Sequence, residues 1–314
     1  MNGRKTILIL LDRPAKPMNS TIDHYVLRWK DAGHRVIYHI GPNNIPVTDV
    51  VIVVIYTTVV SQEYVDVINK LPGVVINGKV LDTSRRRFSQ LILSRSDNYT
   101  GPVIVKTDAN SGGFAELYMS RQRRALKMAN LGAIRWLGTF RSPIVMSFLR
   151  KAVGLLAIIK RLKDWEFETE WSTVETIPSQ KYPVYEGIKD VPDGVWENNN
   201  LIVERFISKP ENELFETHYC AFFGDKAIAG CLKSFNPIVK FENAISDEET
   251  PIPDEVMQWK KDLNIDFGRF DYVESEGKYF LIDVNRVEGG GASNYEYPDE
   301  LDFLASGLEF YISL

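Results

Sequence analysis

The chain has 314 residues, more than one small core organises, so two or three subdomains are expected. With 44% hydrophobic and 25% charged residues it has the composition of a globular protein, which excludes a disordered chain. A net charge of −5 excludes nucleic-acid binding by bulk charge.

The N-terminal apolar run, Ile7 to Leu11, is too short for a signal peptide core and is stopped by Asp12. No run of roughly 18 apolar residues occurs, so no membrane span is expected. The two cysteines, Cys220 and Cys231, lack metal-type spacing, and His24, His34, His39 and His218 form no cluster. A zinc site is therefore not expected, and a cytoplasmic location fits this cysteine usage.

TILILL (residues 6–11) predicts a buried strand, and STIDHYVLRWKDAG a helix capped by Ser20 or Thr21 and stopped at Gly33. HRVIYHI predicts a second strand and DVVIVVIY a third, apolar throughout as in a parallel sheet covered on both faces. SQEYVDVINKLPG reads as a helix and VVIN as a fourth strand, so residues 1–80 form an α/β domain of the doubly wound kind. No GxGxxG follows the first strand, so the dinucleotide fingerprint is missing. A linker helix is expected within 81–98.

GPVIVKTDANSGGFAELYM then reads as a strand, a polar glycine-containing loop and a second strand. The segment 117–163 holds eleven Lys or Arg and no Asp or Glu, leaving −16 for the rest of the chain. It reads as a solvated basic face or a helix packed on an acidic surface of the same protein, or else as a docking surface for an acidic or carrier-linked substrate, with contact to a membrane surface as a minor option. LIVERFI (201–207) is a strand followed by the loop SKPENE. HYCAFFGDKAIAGCLKSF is a hairpin about Gly224 and Asp225, DFGRFDYVESEGKYFLIDVN a hairpin about residues 275–277, and a helix closes the chain from about Pro298. The expected division is 1–80, the linker 81–98, a small subdomain 99–203 carrying the basic insert, and a C-terminal subdomain 204–314.

Side chains alternate along a strand, so the last hairpin has an apolar even face, Phe270, Tyr272, Phe280, Ile282 and Val284. Its odd face carries Arg269, Asp271, Asp283 and Asn285. With Asp271 taken opposite Leu281, Arg269 falls opposite Asp283. Three oxygen donors without His or Cys suit a hard cation such as magnesium, and the neighbouring Arg269 suits developing negative charge. A surface salt-bridge cluster is the alternative. Upstream, Lys106 ends a strand directly before TDANSGG, where a lysine and loop amides can meet phosphates. Glu204 ends LIVE, the segment Arg205 to Ile207 can offer backbone groups to an adenine edge, Glu211 can accept ribose hydroxyls, and Lys240 is a further phosphate candidate.

The order PVIVK, glycine-rich loop, IVERFI, GRFD, LIDVN resembles the ATP-grasp superfamily, most closely its D-alanine–D-alanine ligase and glutathione synthetase branch, over about residues 77–291. The resemblance implies an α/β (α+β) ATP-grasp fold behind an N-terminal α/β domain. It also implies an ATP-dependent carboxylate–amine ligase that works through an acyl phosphate and releases ADP and phosphate. Lys106 matches the strand lysine on the nucleotide phosphates, and Ser111, Gly112 and Gly113 match the covering loop. Glu204 matches the strand glutamate at the adenine with Phe206 and Ile207 beyond it, Glu211 the ribose carboxylate, and Lys240, with Lys233 as its rival, the later phosphate lysine. Asp271, Asp283 and Asn285 match the magnesium ligands, with manganese as an alternative metal, and Arg269 the catalytic arginine. Substrates are then a small carboxylate and an amine, an amino acid or peptide by default, and a homodimer is common among such ligases.

Three departures stand out. The linker reads VLDTSRRRFSQ, so Arg85, Arg86 or Arg87 replaces the family's linker lysine or nothing does. RVEGGG follows Asn285 without the usual proline, and residues 114–200 are long for the family. Two other readings remain: a phosphotransferase acting on a small polyanion, and a nucleotide-binding protein without chemistry.

Overall fold

The computed structural model describes residues 3–13, 21–130, 170–208, 213–286 and 298–313. The first sheet is parallel, in the order β2 (Arg35–Ile40), β1 (Thr6–Leu11), β3 (Val50–Val54), β4 (Val74–Ile76). Alternation along β1 feeds two cores. Ile7, Ile9 and Leu11 pack with helix α1 (Thr21–Asp31), and Leu8 and Leu10 with helix α2 (Gln62–Ile68). Helix α1 turns Ile22, Tyr25, Val26 and Trp29 inward and stops at Gly33, whose φ of +91° an L side chain rarely adopts. The first core extends to the C-terminal helix Pro298–Ala305, where Trp29 Nε1 donates to the Ala305 carbonyl at 2.8 Å.

The second sheet is antiparallel. Its order is β11 (Ser246–Glu249), β10 (Lys226–Ser234), β9 (Phe215–Phe223), β12 (Phe267–Ser275), β13 (Lys278–Asn285). Both expected hairpins are present. Gly224 and Asp225 separate paired Phe223 and Lys226, and Glu276 and Gly277, both at positive φ, close the second turn. One face of this sheet packs under the helix Asp254–Asp262 around Cys220, Phe222, Phe270 and Tyr272. The third sheet is antiparallel, β5 (Ile92–Leu93), β8 (Leu201–Arg205), β6 (Val103–Thr107), β7 (Val184–Tyr185). Parallel and antiparallel sheets together give the mixed α/β architecture expected from the sequence.

Several expectations need correction. In place of a linker helix over 81–98, only α3 (Arg85–Phe88) is helical, and Ile92 already pairs with β8. The division drawn between 203 and 204 falls inside β8. FAELYM is no strand: it opens helix α4 (Phe114–Asn130), whose sequence has no Val, Ile or Thr and is rich in Ala, Leu, Met, Arg and Lys. The basic segment 117–163 lies within α4 up to Asn130, and its residues 131–163 lie outside the described residues.

The register of the last hairpin also differs. Arg269 pairs with Asn285 and Asp271 with Asp283, but Tyr272 pairs with Leu281. Ile282 is therefore the extra residue of a β-bulge, and side-chain parity reverses there. Leu281 and Val284 enter the core with Phe270 and Tyr272, whereas Ile282 faces the opposite side. The expected apolar even face is thus broken at Phe280 and Ile282.

Candidate active site

A cleft of about 510 Å³ lies between the second and third sheets and reaches the loop after β3. Lys106, Ser111, Phe206, Ile207, Lys240, Arg269, Asp271, Asp283 and Asn285 all line it. Gly112 and Gly113 do not, and Glu211 falls outside the described residues.

In β6 and β8, Val103, Val105, Leu201 and Val203 enter the core, which turns Lys106 and Glu204 to the other face. They are diagonal neighbours there, because Lys106 pairs with Ile202 and Glu204 with Ile104. Lys106 Nζ lies 2.8 Å from Glu204 Oε2, with the two side chains 12% and 0% exposed. Glu204 was expected at the adenine edge. It is instead sealed beneath the cleft as the counter-ion of Lys106, and neither of its oxygens accepts a well-formed hydrogen bond from the described residues.

At the end of β8 the Arg205 and Phe206 amides donate to the Leu91 and Pro102 carbonyls at 2.9 Å each. The Phe206 carbonyl and Ile207 amide take no hydrogen bond from the described residues. One acceptor and one donor thus stand side by side. Leu91, Ile104, Tyr182, Ile238, Val273 and Ile282 line the cleft as well. That combination suits a flat heteroaromatic ring with one polar edge.

The other end of the cleft is charged. Arg269 lies over the adjoining rings of Tyr219 and Phe241, 4.9 and 4.5 Å from their centroids, and its Nε and Nη2 meet Asp271 Oδ1 at 2.8 and 2.7 Å. Arg85 is buried; its Nη1 donates to the Thr107 and Ala109 carbonyls, and Nη2 lies 3.1 Å from Asp283 Oδ1. Burial works against the Arg85 charge, but Asp283, followed by Tyr182, Glu204 and Asp108, outweighs it and holds the guanidinium above its ordinary pKa. Arg85 is therefore the linker cation that reaches the cleft, while Arg86 is turned to Asp108 and the Leu201 carbonyl. Lys233 is held by Glu216 and Glu248, at 3.5 and 3.0 Å, whereas Lys240 meets no carboxylate among the described residues.

The donor set accommodates a hard divalent cation. Each aspartate gives Oδ1 to its arginine, and Oδ2 of both stays without a hydrogen bond among the described residues. Asn285 stands two pairs further along the same ladder, on the same face. Two carboxylate oxygens and an amide oxygen on adjacent strands match magnesium, which completes its shell with water and phosphate oxygens.

The glycine-rich stretch has a different local role from the one expected. Ser111, Gly112 and Gly113 have φ of +49°, +67° and +75°, and together they turn the chain from β6 into α4. A Cβ on Gly112 would lie 2.1 Å from the Ile177 carbonyl oxygen, so close approach to the segment 175–177 fixes glycine there.

Three polar residues that frame the site were not singled out from the sequence. Asn77 donates to the Phe267 and Arg286 carbonyls and accepts from the Asp266 and Phe267 amides, tying β4 to β12. Asn110 Nδ2 donates to the Val284 carbonyl at 2.6 Å, linking the loop after β6 to β13. Arg286, next to Asn285, donates to the Val80, Thr57 and Thr58 carbonyls, and burial lowers its pKa to about 10. For Asn77 and Arg286 the only sequence signal is a polar residue just after an apolar strand, and for Asn110 its place in the polar loop after β6.

A second cavity, also about 510 Å³, shares Ile55 and Thr57 with the first. It lies at the C-terminal ends of β1 and β3. Asp12 Oδ2 accepts from the Tyr56 and Thr57 amides at 3.1 Å each, and Glu116 Oε1 from the Thr58 amide at 2.6 Å. Asp12 Oδ1 and Glu116 Oε2 are buried without a partner among the described residues. Burial raises the Asp12 carboxyl above its ordinary pKa, opposed by the Thr57 and Tyr56 amides and Arg13.

No family model and no curated protein matches the sequence. Solved structures do. The RimK domain ATP-grasp protein from Sphaerobacter thermophilus is 8% identical, with 98% of this chain and 99% of that one covered and a TM-score of 0.46. D-alanine–D-alanine ligase from Bacillus anthracis is 11% identical, with 99% of both chains covered and a TM-score of 0.45. The macrocyclase MdnC from Microcystis aeruginosa, bound with the precursor peptide MdnA, is 10% identical, with 98% and 99% covered and a TM-score of 0.49. Over nearly its whole length the chain is similar to ATP-grasp proteins. At these identities and scores the likeness carries nothing about ligand or reaction, which rest on the cleft itself. No helix among the described residues is long and apolar enough to cross a membrane.

Proposed function

We propose that this protein is an ATP-dependent carboxylate–amine ligase that joins its substrates through an amide or peptide bond and releases ADP and phosphate. The observation that carries the reading is the division of one cleft into two chemistries. An apolar slot with a donor and an acceptor at Ile207 and Phe206 leads to an end holding Lys106, Lys240, Arg85, Arg269 and two half-free aspartates. That sequence of chemistries follows the shape of a nucleoside triphosphate, base first and phosphates last.

Lys106 is a fixed point charge for phosphate oxygens, because Glu204 beneath it limits its motion. Lys240 adds a second charge from the opposite wall. Magnesium held by Asp271, Asp283 and Asn285 would neutralise phosphate charge. A substrate carboxylate oxygen attacks the γ-phosphorus, the bond to ADP breaks, and an acyl phosphate results. The amine then attacks the acyl carbon, loses a proton, and phosphate leaves. Arg269, packed over two adjoining aromatic rings, stabilises the oxyanion of that second step. Asp12 and Glu116, each with a buried unpaired oxygen in the adjoining cavity, support a substrate that carries an amine there. No nucleophilic side chain is needed.

The test is product identification with Mg-ATP and pooled amino acids, short peptides and carboxylates. ADP, phosphate and a product lighter by one water than two substrates combined is the expected result. ADP with a phosphorylated substrate would make the protein a phosphotransferase instead. Stabilisation by Mg-ATP without ADP across the pool would support a nucleotide-binding protein without chemistry.

A further inference from the structure

The paired strands β9 and β10 bring unlike side chains together across one hairpin. His218 pairs with Cys231, and Glu216 with Lys233. On the same face, further along the hairpin, Cys220, Phe222 and Ala229 enter the core under the helix Asp254–Asp262. Glu216, His218 and Cys231 stand where that core ends, and one ligand atom from each lies within 4.8 Å of the others. We propose that these three side chains bind a thiophilic divalent cation, zinc above all, at a site separate from Asp271, Asp283 and Asn285.

The donor set decides the metal class. A sulfur, an imidazole nitrogen and a carboxylate oxygen together favour zinc over magnesium or calcium, which prefer oxygen alone. Three protein ligands leave a fourth, tetrahedral position for water. The backbone positions are set by two hydrogen-bonded strands, so small side-chain rotations suffice to close on a common centre. His218 is further restrained by stacking on Tyr272, at 5.3 Å between centroids and 16° between planes. Lys233, the cation next to Glu216, has a second carboxylate in Glu248 at 3.0 Å and keeps a partner when Glu216 turns to the metal. Coordination displaces the proton from the Cys231 sulfur. Sequence spacing gave no zinc signal because the ligands come from facing positions on two strands rather than from one short stretch.

Cobalt(II) tests this directly on the full chain with its thiols reduced. One equivalent should produce a sulfur-to-cobalt charge-transfer band in the near ultraviolet with tetrahedral bands in the visible, and zinc should abolish both. Cys231→Ser should remove the charge-transfer band, and His218→Ala should weaken binding at least about tenfold, the loss that even outer-sphere changes cause at such sites. Cys220→Ser and Asp283→Ala should leave the spectrum unchanged. No charge-transfer band in the wild-type protein overturns the proposal, which needs no variant to fold. So does a band that survives Cys231→Ser, or one that follows Cys220 or Asp283.

Discussion

Lys106 and Glu204 form the pair on which the cleft's charge rests. Buried ion pairs of this kind contribute little net stability, but losing one partner strands the other. Lys106→Met should therefore cost roughly 3–5 kcal/mol in denaturant unfolding, whereas Lys106→Met with Glu204→Met should recover most of that loss. A double variant no more stable than the single one would mean that Glu204 is satisfied by some other group. Of the two residues, Lys106 was legible, since a lysine closing an apolar strand before a glycine loop has few structural explanations. The place of Glu204 was not. Strand parity put it on the ligand side, and only the diagonal contact across β6 and β8 puts it under the lysine. Asn77 and Arg286 were invisible for a related reason, because their partners are backbone carbonyls and amides about 190 to 229 residues away in the chain.

Among the elements, the last hairpin and the glycine-rich turn teach the most. Arg269, Asp271, Asp283 and Asn285 do share one face, as alternation predicted. The bulge at Ile282 lets that polar group stay together while Leu281 replaces Phe280 and Ile282 in the core. A bulge has no signature in an alternating stretch, so alternation alone could not find it. In the glycine-rich turn, Gly112→Ala combines a φ of +67° with a Cβ 2.1 Å from the Ile177 carbonyl oxygen. Strained backbone costs on the order of 1–3 kcal/mol before any clash is added. The variant should melt clearly below wild type, and an unchanged melting temperature would contradict the packing of this turn on residues 175–177. The glycines were read as phosphate-covering, but their conformation is required first by the entry into α4. That turn in turn delivers Ser111 to the cleft and Asn110 to β13.

At the scale of the molecule, ten of the thirteen described strands were visible as apolar runs bounded by turn residues, the polar β11, SDEE, being missed along with β5 and β7, and the parallel N-terminal sheet followed from alternation with helices. The subdomain limits were harder to read. The third sheet recruits β5 from the supposed linker and β7 from residues 184–185, pairings set by long-range packing that no local pattern records. The cleft exists because the second and third sheets face each other across the loop after β3, so its lining is gathered from Ile55 to Arg286 along the chain.

The most direct test of the account is calorimetric titration of the protein with Mg-ATP, beside Lys240→Ala. Lys240 has no ion-pair partner among the described residues, so its loss should leave the fold intact. Saturable binding to the wild-type protein at one site, weakened about tenfold in the variant by loss of one charged contact worth ~1.5 kcal/mol, is the expected outcome. No binding at millimolar nucleotide, or equal binding by both proteins, would contradict it.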